Sequence, residues 1–305
     1  MIKLGIVIPT FNRVAYLDRL LAQIQDFSID HFDYHVVVVN DQSTDNTVDI
    51  VNARGKQFPN ITLITTDGNW WWTKCFNEGM KVCFRTYDVD YVLSLNDDVE
   101  LYEFFFQDLL EVISQLRFLN GEYFMFNCGS RDITNGLFSD LGTIKDFKNP
   151  FFERRLTLDD FKSNLSYAPV NHNHGRGMVL SKAVFELIGE LDFKTFPQYL
   201  GDSEYANRAY RSKVNQYFTK KPYLLSYVDL TSRTKYENVY SLRNFLKRLS
   251  DKYSDCNLKT FYKYNKLTKT GIYSYYFTLI DAKKIVGGYV KRWIKAKFNN
   301  KTDLI

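Results

Sequence analysis

The chain has 305 residues, 45% hydrophobic and 25% charged, a balance that supports one large globular domain with an appendage. Its formal net charge of +5 gathers in the stretch from Asp281 onward, which points to an anionic surface for the tail and away from a nucleic-acid groove for the whole protein. The 4 cysteines have no Cys-x-x-Cys spacing and no nearby His, so neither a zinc site nor a disulfide framework is implied, and a reducing cytoplasm fits best.

Met1 leads directly into a strand pattern, so the sequence reads as one without a signal peptide, and no run of about 18 apolar residues is present to span a membrane. The first apolar run, over 4–8, predicts a buried strand ended by Pro9 and followed by Thr10-Phe11-Asn12-Arg13. Leu17, Leu20, Leu21 and Ile24 then recur at helical spacing, and a second buried strand is expected over 34–39. It empties into the polar loop Asn40 to Thr47, where Ser43 or Thr44 is expected to cap a helix through Val48 and Val51, with Asp45 at that helix's positive end. Strand, polar loop, helix, strand, polar loop is the grammar of a parallel α/β sheet, whose ligands bind beyond the carboxyl ends of the strands. Asp41, at such a strand tip, is placed to accept from a uracil N3–H or a ribose hydroxyl.

Trp70, Trp71 and Trp72 cannot all face one core, because successive side chains point in different directions, so at least one is expected in a cleft or in solvent. With 25 Phe and 22 Tyr as well, the chain is rich in flat side chains suited to sugars, nucleobases or a membrane interface, although most of the Phe residues are expected in the core. A short strand over 91–95 stops at Asn96-Asp97-Asp98. Two adjacent carboxylates repel unless a cation sits between them, and a pair of hard oxygen ligands is the usual means of holding Mg²⁺ or Mn²⁺ against a diphosphate. The alternative, that these residues open a turn and cap a helix, is outweighed by their neighbours in the chain.

Three segments, Val7-Ile8-Pro9-Thr10-Phe11-Asn12-Arg13, Val38-Val39-Asn40-Asp41-Gln42-Ser43-Thr44-Asp45 and Leu95-Asn96-Asp97-Asp98-Val99, resemble the nucleotide-sugar half of glycosyltransferase family 2 in order and spacing. The resemblance implies an α/β protein of the GT-A fold, with a mostly parallel, Rossmann-like central sheet flanked by helices and, here, a C-terminal helical extension. It places Pro9, Thr10, Asn12 and Asp41 at the nucleotide, and makes Asp97 and Asp98 a metal-binding motif, with Asp97 also near the nucleotide sugar. One departure is visible, since Asn40-Asp41-Gln42-Ser43 stands where the family often has Asp-Asp-Gly-Ser. Gly68-Asn69, the aromatic run and Asn77-Glu78-Gly79 are similar to the stretch beside the family's donor, which brings Trp72, Lys74 and Asn77 to the nucleotide sugar, Lys74 as a point charge for the diphosphate.

Beyond the acidic pair, an amphipathic helix is expected over 103–119 and strands over 123–128 and 136–141, followed by an irregular stretch over 145–165. His172 and His174, two residues apart, would face one side of a strand as metal ligands do, but no third ligand is near and zinc is not favoured. Gly175-Arg176-Gly177 resembles the family's glycine-rich turn below the sugar, making Arg176 and Gly177 candidates for a sugar or acceptor contact. Gly201-Asp202 resembles the family's Glu-Asp motif, whose aspartate is the catalytic base, and Glu204 is a further acceptor candidate. A carboxylate at a helix N-terminus stays ionised and aimed, which suits that task.

A strand over 223–228 and a helix over 238–249 precede the basic tail, in which 273–298 is expected to hold one or two helices. Val286, Tyr289, Val290, Trp293 and Ile294 form an apolar stripe with Lys283, Lys284, Lys291, Arg292, Lys295 and Lys297 beside it, the pattern of an interfacial helix on an anionic membrane, against the alternative of packing on the protein's own core. The expected division is 1–230 for the transferase domain, with a nucleotide-sugar half over 1–120 and an acceptor half over 121–230, and 231–305 for the extension. The expected activity is an inverting, Mn²⁺- or Mg²⁺-dependent transfer of one sugar from a UDP- rather than dTDP-sugar to a glycan or polyprenyl-linked glycan at the inner face of a bacterial membrane, in O-antigen or capsule assembly. The Gln-x-x-Arg-Trp motif of processive synthases is absent. A non-catalytic membrane-bound scaffold and a sugar-1-phosphate nucleotidyltransferase are the rival expectations.

Overall fold

The structure is a computed structural model, and it describes residues 1–27, 32–149, 151–162, 164–227 and 242–302, with side chains as far as 294. Strands β1 (Ile2–Thr10), β2 (Phe32–Asn40), β3 (Ile61–Thr65) and β4 (Tyr91–Ser94) pair in parallel in the order β4-β1-β2-β3. The sheet continues past β4 through β11 (Met178–Ser181), β6 (Phe124–Asp132), β12 (Asn215–Ser226) and β10 (Tyr167–Val170), with β11 antiparallel to both β4 and β6. Short strands β5 (Val99–Glu100) and β7 (Phe138–Asp140) lie beside β12 and β6, and β8 (Thr143–Lys145) and β9 (Glu153–Arg155) form a separate hairpin. Strands from 1–120 and from 121–230 therefore share one sheet.

Alternation along the strands gives this sheet two apolar faces. Leu4, Ile6 and Ile8 of β1 join a core with α1 (Val14–Asp26) and α4 (Phe105–Asn120), whereas Val7, Val37 and Val39 face α3 (Trp71–Arg85), α5 (Lys182–Ile188) and α6 (Gly201–Arg211). Helix α3 rests directly on the sheet, for a Cβ on Gly79 would lie 2.4 Å from Val7 and one on Gly5 would lie 2.6 Å from Cys83 Sγ. All four cysteines are buried and unpaired.

Pro9 does not end the first strand. The Val7 carbonyl accepts from Leu95 N on the β4 side, so Pro9, two residues on, faces the same side beyond the end of β4, where no ladder bond asks for its missing N–H. Ser43 and Thr44 also depart from expectation. They cap nothing in α2 (Thr47–Gln57) and bond to Asn12 instead. His172 and His174 lie in the loop between β10 and β11, on no strand. The last strand begins earlier than expected, at Asn215, while Val228 and residues 238–241 of the expected helix lie outside the described residues.

The extension contains α7 (Leu242–Ser250), α8 (Leu258–Thr268) and α9 (Tyr273–Thr302), of which α8 was not anticipated and α9 is a single helix. It docks on α6 and on the start of α3. Arg211 donates to the carbonyls of Leu267 and Thr268, each at 2.9 Å, and Tyr253 stacks on Trp71 with ring centres 3.9 Å apart.

Candidate active site

The strand tips of β1, β2 and β4 bring three polar loops together at one end of the sheet. Asn12, at φ 52°, ties two of them, its amide donating to Ser43 Oγ at 2.9 Å and its Oδ1 accepting from Thr44 N at 2.7 Å. The third carries the acidic pair. Asp97 and Asp98 are 5% and 6% exposed, and one guanidinium nitrogen, Arg13 Nη1, donates to both, at 3.0 Å and 2.7 Å. Thr10 Oγ1 donates to the other oxygen of Asp97 at 2.8 Å. Burial first, and then the neighbouring Asp98, push Asp97 up to about 6 against the pull of Arg13. Arg13 belongs to the first matching segment but was assigned no role in the sequence. Nothing local signals that it reaches carboxylates 84 residues away.

Two carboxylates converging on one cation form a donor set that fits a divalent ion. Among the described residues no group of three or more His, Cys, Asp and Glu could hold a metal. The protein would therefore offer two hard ligands and leave the remaining positions to phosphate and water, the usual arrangement for Mg²⁺ beside a diphosphate.

Asp41 lies at the tip of β2, 8% exposed, and accepts from Trp70 N at 3.1 Å, Trp71 N at 2.9 Å and the Thr66 hydroxyl. These bonds fix the first turn of the tryptophan run, and the three rings diverge as the sequence requires. Trp70 receives the Lys74 ammonium 4.1 Å from its ring centre, Trp71, at φ 57°, stacks on Tyr253, and Trp72 turns toward the acidic loop. Asn77 does not join this group. It is fully buried, its Oδ1 accepting from Leu191 N at 2.9 Å and its Nδ2 donating to Glu190 at 3.1 Å, so both its polar ends tie α3 to the loop after α5.

Trp72 connects the acidic pair to the expected base. Its indole N–H donates to Asn96 Oδ1 at 3.3 Å, and a Cβ on Gly175 would lie 2.2 Å from its ring, so the glycine-rich turn lies flat against the indole. Gly175 N in turn donates to Asp202 Oδ2 at 2.7 Å, and Ser203 N donates to Asp202 Oδ1 at 2.7 Å. Leu200, not Asp202, occupies the N-cap position of α6, leaving Asp202 in the first turn, where the helix dipole favours its charge. Gly177, at φ 68°, donates to the Ser94 carbonyl at 2.9 Å and so ties the same turn to β4. Glu204 is paired with Arg208 at 2.8 Å. Arg176 is half-buried beside Asp140, whose carboxylate accepts from His174 Nε2 at 2.6 Å, and its Nε has no hydrogen-bond partner among the described residues. Thr73 Oγ1, His172 Nδ1, Asn173 Oδ1 and Tyr205 Oη are likewise buried and unsatisfied.

Comparison with known proteins gives a consistent picture. The model of the family described as glycosyl transferase family 2 matches residues 5–187. The poly(ribitol-phosphate) beta-glucosyltransferase of Bacillus spizizenii is 32% identical over 62 residues, a match that covers 20% of this chain and only 10% of that protein. Residues 1–349 of TarS from S. aureus superpose with a TM-score of 0.52 at 14% identity, covering 95% of this chain and 92% of that one, and the same segment has been solved with UDP-GlcNAc. The mannosyltransferase PcManGT from Pyrobaculum calidifontis, solved with GDP-Man and Mn²⁺, superposes with a TM-score of 0.51 at 13% identity, covering 99% of this chain and 80% of that one.

Proposed function

The chain belongs to glycosyl transferase family 2, and from that premise we propose that it is an inverting transferase that moves one sugar from a nucleotide-diphosphate sugar to a hydroxyl of a cell-surface glycan acceptor. The observation that carries this reading is the continuous link from Asp97 and Asp98 through Asn96, Trp72 and Gly175 to Asp202, which joins a pair of carboxylates suited to a cation with a carboxylate aimed by backbone amides. Asp202, with both oxygens held by backbone amides, takes the proton from the acceptor hydroxyl as that oxygen attacks the anomeric carbon, and a single displacement inverts the configuration. Trp72 and Gly175 form the floor below the sugar, and the rings of Trp70 and Trp71 with Lys74 flank the nucleotide. Asp98 and Asp97 would hold Mn²⁺ or Mg²⁺, which when bound supplies charge neutralisation at the leaving diphosphate. Arg13, whose Nη1 bridges the two carboxylates, would have to leave the position that such an ion takes.

UDP is the preferred nucleotide, a reading supported by the UDP-GlcNAc complex of TarS, while Asp41 suits uracil and thymine alike. The acceptor is a glycan or a polyprenyl-linked glycan in surface-polysaccharide assembly, reached from the inner face of the plasma membrane with α9 resting on anionic lipid. Isothermal titration with UDP and with dTDP, each with and without Mn²⁺, tests the donor site. Metal-assisted binding of UDP that is lost in Asp98→Ala is expected, and failure of both nucleotides under every condition would overturn the reading.

A further inference from the structure

Behind Asp202, the end of β8, the loop before β11 and the turn between α8 and α9 gather Lys145, His172 and Lys269. Lys269 is 9% exposed, with its ammonium 4.5 Å from the ring centre of Phe147 and 4.3 Å from that of Phe277. Lys145 is half-buried, its backbone pinned on both sides by the Asn171 side chain at 2.9 Å and 2.7 Å. Neither ammonium forms an ion pair with a described residue, although both are near enough to act on one another. Burial first, and Lys145 next, bring Lys269 down to about 8. Burial also holds Lys145 below its ordinary value, against the opposing pull of Glu153, Asp202 and Asp281.

Asp281 is the acid common to both lysines, but its carboxylate accepts from Asn265 Nδ2 at 2.8 Å, and burial raises it above the usual carboxylate range. His172 is 8% exposed and held neutral by burial and then by Lys145. Its Nε2 lies 3.5 Å from Ser203 Oγ, and its Nδ1 has no partner among the described residues. The tautomer that lets Nε2 accept from Ser203 puts a proton on Nδ1 and makes it an unused buried donor.

Two like charges without a paired carboxylate and one unused donor make a site that an anion completes, as two adjacent carboxylates are completed by a cation. We propose that Lys145, Lys269 and His172 form an acceptor subsite for a phosphate group, so that the hydroxyl presented to Asp202 belongs to a phosphate-bearing acceptor. The inference rests on the reading of Asp202 as the base. The phosphate has two sources, a polyol-phosphate repeat beside the reacting hydroxyl or the diphosphate of a lipid-linked glycan, and both present the same oxygens to the lysines.

The test titrates inorganic phosphate into the full chain with and without saturating UDP, comparing the wild type with Lys145→Met and Lys269→Met, the latter keeping an unbranched stem between the rings of Phe147 and Phe277. With UDP filling the donor site, the wild type is expected to bind phosphate and each variant to bind it at least tenfold more weakly, with UDP affinity and melting temperature unchanged. Glycerol phosphate and a short prenyl diphosphate in detergent, each against its phosphate-free alcohol, then assign the source by which of them competes with inorganic phosphate. Phosphate binding that survives in both variants, or is absent from a wild type that binds UDP, overturns the subsite and leaves the donor reading intact. A wild type that binds no UDP overturns the donor reading instead, and the phosphate titration without UDP still decides the cluster.

Discussion

Asp202 accepts one backbone amide on each oxygen, and that symmetry makes it a sensitive position. In Asp202→Asn one of those amides faces an NH₂ group, and the acceptor hydroxyl has no base. A loss of about 10²- to 10⁴-fold in kcat is expected, the usual worth of a positioned general base, with UDP affinity unchanged because the proposed donor site, at Asp97 and Asp98, is reached from Asp202 only across Gly175 and Trp72. A steady-state comparison of transfer rate with a UDP titration measures both; a fall in UDP affinity of the same size as the fall in rate would show that Asp202 only supports the fold. Arg13 invites a different experiment. Removing it leaves Asp97 and Asp98 buried and facing each other, a loss of about 3 kcal/mol at the low end of the range for a broken buried pair, since Arg13 keeps 33% of its side-chain exposure. Arg13→Ala is therefore expected to melt several degrees lower than the wild type and to recover most of that loss in Mn²⁺. Equal lowering with and without the ion would mean that the pair does not share its cation site with Arg13.

Helix α3 and the turn at Gly175 act as one unit, because the first turn of the helix carries the indole on which the turn rests. A methyl group at Gly175 meets that ring at 2.2 Å, so Gly175→Ala must displace Trp72 from Asn96 or lift the amide away from Asp202. Overpacking of this kind costs about 1–3 kcal/mol, and it should lower kcat more than it lowers stability; a variant with wild-type kcat would remove the turn from the site. Much of this region was legible in the sequence. Apolar runs that end in acids located the strand tips, and the glycines of the 175–177 turn pointed to a close approach of backbone to a ligand, where Gly175 in fact approaches the Trp72 ring. Asn77 illustrates an ambiguity of the sequence, since the same Asn-x-Gly spacing that suits a ligand also suits an asparagine tying a close-packed helix to the next loop. The contacts Arg13 to Asp98 and Trp71 to Tyr253 were not legible, for no local periodicity records a pairing across such distances along the chain.

The sheet, the site and the extension form a sequence of dependencies at the scale of the whole molecule. Tyr264 of α8 lies close enough to Asp202 for the carboxylate to help raise its hydroxyl, after burial, and Lys269 follows it at the turn. The extension thus packs close to Asp202 and α6, and its last helix carries an exposed apolar face. The expected stripe divides. Tyr289 stacks on Phe245 of α7 with ring centres 4.0 Å apart, which honours the alternative of packing inward, whereas Val286, Val290 and Ile294 remain 43%, 44% and 43% exposed, with Leu279 at 69% nearer the N-terminal end of α9. No helix among the described residues is long and apolar enough to cross a bilayer, so contact with lipid would be lateral. Each partly exposed aliphatic side chain that enters the acyl boundary contributes about 1 kcal/mol, and each nearby lysine about as much on an anionic surface. Replacing Val290 and Ile294 by Asp removes both terms locally. Sedimentation with vesicles containing anionic phospholipid is expected to capture the wild type and to recover at least tenfold less of the double variant, and added salt should release the wild type in part, because the charge term is screened and the apolar one is not. If neutral and anionic vesicles captured both proteins equally, α9 would have to be read as a helix packed on its own protein, with the acceptor arriving from solution.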